Sequence, residues 1–63
     1  MVNEQPNVNP AGRYNVTETC RLLGIHRATL HRATGVRIKC GIRKDNHRRY
    51  YTGIDIIRFW RSQ

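Results

Sequence analysis

Two glycines, Gly24 and Gly35, bracket the stretch GIHRATLHRATG, which contains no acidic residue. Glycine takes the left-handed backbone that ends a helix without steric cost. The chain is therefore expected to turn at both positions and to run a short helix between them, from His26 or Arg27 to Thr34. That helix has little with which to bury itself: Leu30 and Ala33 are its apolar contacts. An ordinary surface helix carries a wider apolar stripe and mixes acids with bases. Here Arg27, His31 and Arg32 lie on the side opposite Leu30, so the outward face suits an anion.

A second helix is expected just before it. Asn15 can cap its start, with Glu18 three residues on completing a capping box. Val16, Cys20 and Leu23 then fall at i, i+4 and i+7, one helical face about two turns long. Cys20, Gly24 and Leu30 thus fall at the spacing of a helix-turn-helix: a small residue at the crossing, a glycine in the turn and an apolar anchor on the second helix. Alanine is usual at the first of these positions, and cysteine packs there as a small hydrophobe.

The period changes after Gly35. In VRIKCGIR, residues 36–43, Val36, Ile38, Cys40 and Ile42 alternate with Arg37, Lys39, Gly41 and Arg43. Alternation of this kind predicts a strand with one apolar and one basic face. KDNH supplies turn residues, and RRYY reads as a short return strand. Thr52 caps a last helix, with Asp55 as box partner and Ile54, Ile56, Ile57, Phe59 and Trp60 as its large apolar residues. The order is helix, turn, helix, hairpin, helix. The expected fold is mostly α with a small β-hairpin, a winged helix-turn-helix over residues 13–63. Residues 1–12, polar and punctuated by Pro6, Pro10 and Gly12, are expected to be a disordered tail.

Charge narrows the function. Twelve Lys and Arg face four Asp and Glu, a net charge of +8. Arginine predominates, and its planar fork pairs bidentately with phosphates and guanine edges. Such a balance points to a polyanionic partner. Four acids, no paired carboxylates and no phosphate-cradling glycine loop argue against an enzyme. Cys20, Cys40 and the three histidines lack the spacing of a zinc finger, so neither a metal nor another cofactor is expected. A disulfide is not expected in a reducing compartment. No apolar run approaches the ~20 residues of a membrane span, and no signal peptide follows Met1.

The residues expected to meet DNA are His26, Arg27, Ala28, Thr29, His31 and Arg32 on the second helix. Arg27 and Arg32 suit guanine, Ala28 a thymine methyl, and Thr29 a phosphate. At the hairpin tip Arg43, Lys44, Asn46, His47, Arg48 and Arg49 supply a second contact, in a minor groove or along phosphates. The same one-sided charge also protects an exposed edge strand.

YNVTETCRLLGIHRATLHR together with RRYYTGIDIIRFW resembles the winged helix-turn-helix of MerR-like regulators and of phage and transposon excisionases. The likeness covers residues 14–61. It implies DNA contacts from Arg27, His31, Arg32 and the wing basics. It also implies that Arg49 and Tyr50 or Tyr51 fasten the wing to phosphate or to the first helix. The chain departs from that pattern at His26, where the family often has serine, and at Gly53, where it carries a better helix former. The wing tip is also longer and more basic. The chain stops at Gln63, where MerR-type regulators continue into a dimerisation helix and an effector region, so an excisionase is the expected role. Such a protein binds and bends double-stranded DNA and acts with a site-specific recombinase. It is expected to be cytoplasmic, bacterial or phage-encoded, nucleoid-associated, and monomeric in solution with association along DNA. The alternatives are a small transcriptional regulator, a phage DNA-packaging domain or a basic RNA-binding module.

Overall fold

Asn15 opens the first helix as its sequence predicts. In a computed structural model that describes residues 2–62, its Oδ1 accepts from the Glu18 amide at 2.7 Å, and Glu18 Oε1 accepts from the Asn15 amide at 3.3 Å. These bonds satisfy donors that a helix start leaves free. The elements run β1 (Arg13–Asn15), α1 (Val16–Leu23), α2 (Arg27–Ala33), β2 (Gly41–Ile42), β3 (Arg49–Thr52) and α3 (Gly53–Arg61). Gly24 ends α1 at φ 68°, and its amide and that of Ile25 both donate to the Cys20 carbonyl. This is the tight turn that sets α2 against α1.

The strands form one antiparallel sheet in the order β1-β3-β2, with Tyr14 opposite Tyr51 and Gly41 opposite Tyr50. Successive side chains of a strand point to opposite faces. Tyr51 turns inward and is buried, joining Leu23, Leu30, Ile56 and Phe59 in the core. Tyr50 turns outward. The winged helix-turn-helix expected from the sequence is the fold observed, with β1 as an additional strand.

The expected strand over residues 36–43 is much shorter. Gly35 takes φ 84°, and the amides of Val36, Arg37 and Ile38 all converge on the Ala33 carbonyl. This turn closes the end of α2 and consumes the residues that the alternation assigned to a strand. Ile38 is buried and Cys40 half-buried, but Val36 is 84% and Ile42 60% exposed. Alternation misled here because a helix-terminating turn also buries one apolar residue and exposes its neighbours.

Residues 2–12, expected as a disordered tail, lie against the ends of α1 and α3. The Val2 amide donates to the Leu23 carbonyl at 2.9 Å, and Trp60 Nε1 donates to the Val2 carbonyl at 3.0 Å. At the start of α3, the amides of Gly53 and Ile54 donate to the carbonyls of Gly12 and Pro10. A Cβ on Gly53 would overlap the Asn9 carbonyl. The missing side chain at Gly53 therefore makes room for a crossing strand of backbone. These contacts use main-chain groups, which composition and periodicity do not reveal.

Candidate nucleic-acid interface

Arg27 stands at the first turn of α2, and its Nη2 donates to Thr17 Oγ1 of α1 at 2.5 Å. The bond holds the guanidinium over the N-terminal turn of α1 instead of leaving it free in front of α2. Asn15, Val16, Thr17, Arg27, Arg48 and Arg49 line one cleft of about 270 Å³. Three guanidiniums thus come together from α2 and the wing, and no lining residue is acidic. Arginine stays charged at any working pH and offers five donors. The lining of the cleft is cationic and suits an anion.

The wing is tied to α2 at two points. Arg49 Nη1 lies 3.2 Å from His31 Nδ1, and since a guanidinium only donates, the imidazole nitrogen accepts. Deeper, the Tyr51 hydroxyl and Thr34 Oγ1 share a hydrogen bond of 2.7 Å, while the Thr34 hydroxyl also donates to the Leu30 carbonyl. Tyr51 therefore fastens the wing to the end of the second helix, where the family resemblance implied the first helix or phosphate.

His26, Ala28, Thr29, His31 and Arg32 are all exposed. His26 occupies the N-cap without a side-chain bond, as its departure from serine implies. Arg32 folds back on its own helix, with Nε 3.4 Å from the Ala28 carbonyl. On the wing, Lys44, Asn46, His47 and Arg48 are exposed; Asn46 Oδ1 accepts from the Arg48 amide, and His47 takes φ 56° at the tip.

The structure does not bring every predicted cation to one place. Arg43 and Lys44 lie apart from the α2 cluster, beside Tyr50, which stacks instead of anchoring the wing to a helix. Arg13 joins them, with its Cζ 5.0 Å from the Tyr50 ring centroid. Sequence reasoning missed Arg13 and Thr17. The first belongs to a strand of three residues, too short to show a period, and the second acts only through the fold.

The two cysteines are free, and burial pushes the Cys20 thiol above its ordinary value, with the charge of Arg27 opposing. Among the described residues, no group of three or more His, Cys, Asp or Glu is placed to hold a metal ion, and no helix is long and apolar enough to cross a membrane.

Residues 11–33, spanning β1, α1 and α2, match the helix-turn-helix family described as bacterial regulatory protein, Fis family. No curated protein and no solved structure matches the chain. The match is to this helix-turn-helix class and not to MerR-like regulators or excisionases in particular. Together with the winged fold, it supports a helix-turn-helix of DNA-binding type in this chain.

Proposed function

We propose that this chain is an excisionase-type directionality factor, which binds a specific duplex site, bends it and so biases a site-specific recombinase. In this mechanism α2 enters the major groove, presenting His26, Ala28, His31 and Arg32 to base edges. Arg27, Arg48 and Arg49 grip a backbone phosphate between the groove that α2 occupies and the wing. Phosphate contacts fix register, and base contacts supply the choice of sequence. The observation that carries this proposal is the bond between Arg49 and His31, which couples wing and α2 into one grip. A grip at two points on a duplex helps offset a bending cost of about 1–6 kcal/mol.

The match to a family of bacterial regulatory proteins favours a second proposal, a small transcriptional regulator using the same surface. A footprint over an element's attachment region, with a gel assay of bending, separates the two. Adjacent protected sites with a bent duplex support the excisionase. Protection confined to a promoter assigns the chain to regulation. A preference for RNA hairpins, or for packaging-site DNA without bending, would replace both.

A further inference from the structure

We propose that a second cationic surface, on the outer face of the sheet, binds a second DNA duplex, so that one molecule bridges two segments. This rests on the proposal that α2 and the wing arginines hold the first.

The surface is built around Tyr50, which turns away from the helices while its neighbour Tyr51 is buried. Its ring lies across β2 over Gly41, where a Cβ would overlap the phenol end of the ring. Arg13 reaches it from β1 and Arg43 from the end of β2, with Cζ atoms 5.0 and 5.8 Å from the ring centroid. Lys44 lines the same hollow of about 480 Å³, and Asp45 is its one acid. A guanidinium stacked on an aromatic face is held in place while its N–H edge stays free for a bidentate anion. Less side-chain freedom is then lost on binding.

The occupant is constrained by charge. A second copy of this chain offers no complementary patch: it has four acids, of which Glu18 and Asp55 are engaged in helix caps. The hollow at Tyr50 and the cleft at Arg27 share no lining residue, so each offers its own cations to a duplex segment. A separate duplex segment has both the charge and the access.

The test uses the full chain at low coverage, with one random-sequence 30-base-pair duplex immobilised and a second, fluorescent one in solution. Wild-type protein is expected to sediment as a monomer and to capture the fluorescent duplex on the immobilised one. Arg13→Ser with Arg43→Ser is expected to cut that capture about tenfold or more while changing single-duplex affinity less than about threefold, near the loss of one phosphate contact. Should that pair fail to fold, Lys44→Ser at the exposed tip carries the same comparison. Wild-type protein that binds one duplex but captures no second overturns bridging alone. Wild-type protein that binds no duplex at all overturns the α2 interface as well. Capture unchanged in the variants, a dimer in sedimentation, or equal capture of polyglutamate would each also overturn bridging, the last assigning this face to an acidic protein.

Discussion

Arg49 on β3 reaches across to α2 and holds His31 at 3.2 Å through Nδ1. The bond requires an imidazole nitrogen that accepts, since the guanidinium only donates. Both residues are exposed, and such a bond is worth about 1 kcal/mol or less. Its effect is on geometry: it fixes the wing relative to α2. His31→Phe, which removes the acceptor, is expected to lower duplex affinity by about fivefold. The melting temperature should fall by no more than about 4–8 °C, the equivalent of about 1 kcal/mol. Equal affinity of variant and wild type in a fluorescence titration would sink the coupling of wing to helix.

Thr17 decides what Arg27 does. With the guanidinium held by Thr17 Oγ1 in the cleft beside Arg48 and Arg49, the proposed interface makes Arg27 a backbone contact. Arg27→Ala is therefore expected to weaken specific and random duplexes alike and to reduce the salt slope by about one. From sequence alone the same substitution is expected to relax base preference. Thr17→Val releases the guanidinium and should shift Arg27 toward the sequence expectation, changing base preference with little loss of affinity. Binding-site selection on both variants, read beside salt titrations, checks the assignment.

Much of this was legible in the residues, and the failures have a common cause. Asn15, Glu18 and Gly24 mark the ends of α1 because caps and left-handed turns demand particular side chains, and Thr52 with Asp55 marks α3 in the same way. Leu30 is fully buried, as a lone apolar residue on a cationic helix has to be. What stayed hidden is held by main-chain groups. The turn after Ala33 is three amides on one carbonyl; β1 is three residues paired to β3; and residues 2–12 dock through main-chain amides and carbonyls. Backbone hydrogen bonds are available to any sequence, so they leave no pattern. The direction of a long side chain, such as Arg27 toward Thr17, is likewise set by the fold.

Gly53 offers a test of the docked N-terminal segment. In an open helix, glycine to alanine gains up to about 1 kcal/mol. Here the new Cβ meets the Asn9 carbonyl, which is backbone and has little room to give. Gly53→Ala is expected to cost about 1–3 kcal/mol instead. At about 4–8 °C per kcal/mol this is a clear fall in a thermal melt. In a chain lacking residues 1–10 the same substitution should be neutral or stabilising. A Gly53→Ala protein as stable as wild type would mean that the segment does not cross α3.

Cys20 gives a pH dependence of known sign. Burial raises its thiol above the ordinary value of 9.0, so the folded state favours the neutral form. Its contribution is complete below pH 9.0 and is lost as pH rises toward the higher folded value, where the unfolded chain alone releases the proton. Urea melts are expected to show stability falling in that alkaline window, and Cys20→Ala to remove that part of the fall. Half-buried Cys40 should also react with iodoacetamide faster than buried Cys20 in the native protein.

Thr19 carries the last prediction. It is fully buried on α1, and its Oγ1 has no hydrogen-bond partner among the described residues. A buried polar atom left unpaired costs about 1–3 kcal/mol. Valine has nearly the shape of threonine and no hydroxyl, so Thr19→Val removes that cost and leaves the packing intact. It is expected to raise stability by about 1 kcal/mol, or about 4–8 °C in melting temperature. Thr19→Ser keeps the hydroxyl, deletes a buried methyl and should lower stability by a similar amount. Two opposite shifts from one position distinguish an unpaired hydroxyl from simple crowding, since crowding would be relieved by the smaller serine. A destabilised Thr19→Val protein would mean that the hydroxyl has a partner in solution, such as a buried water.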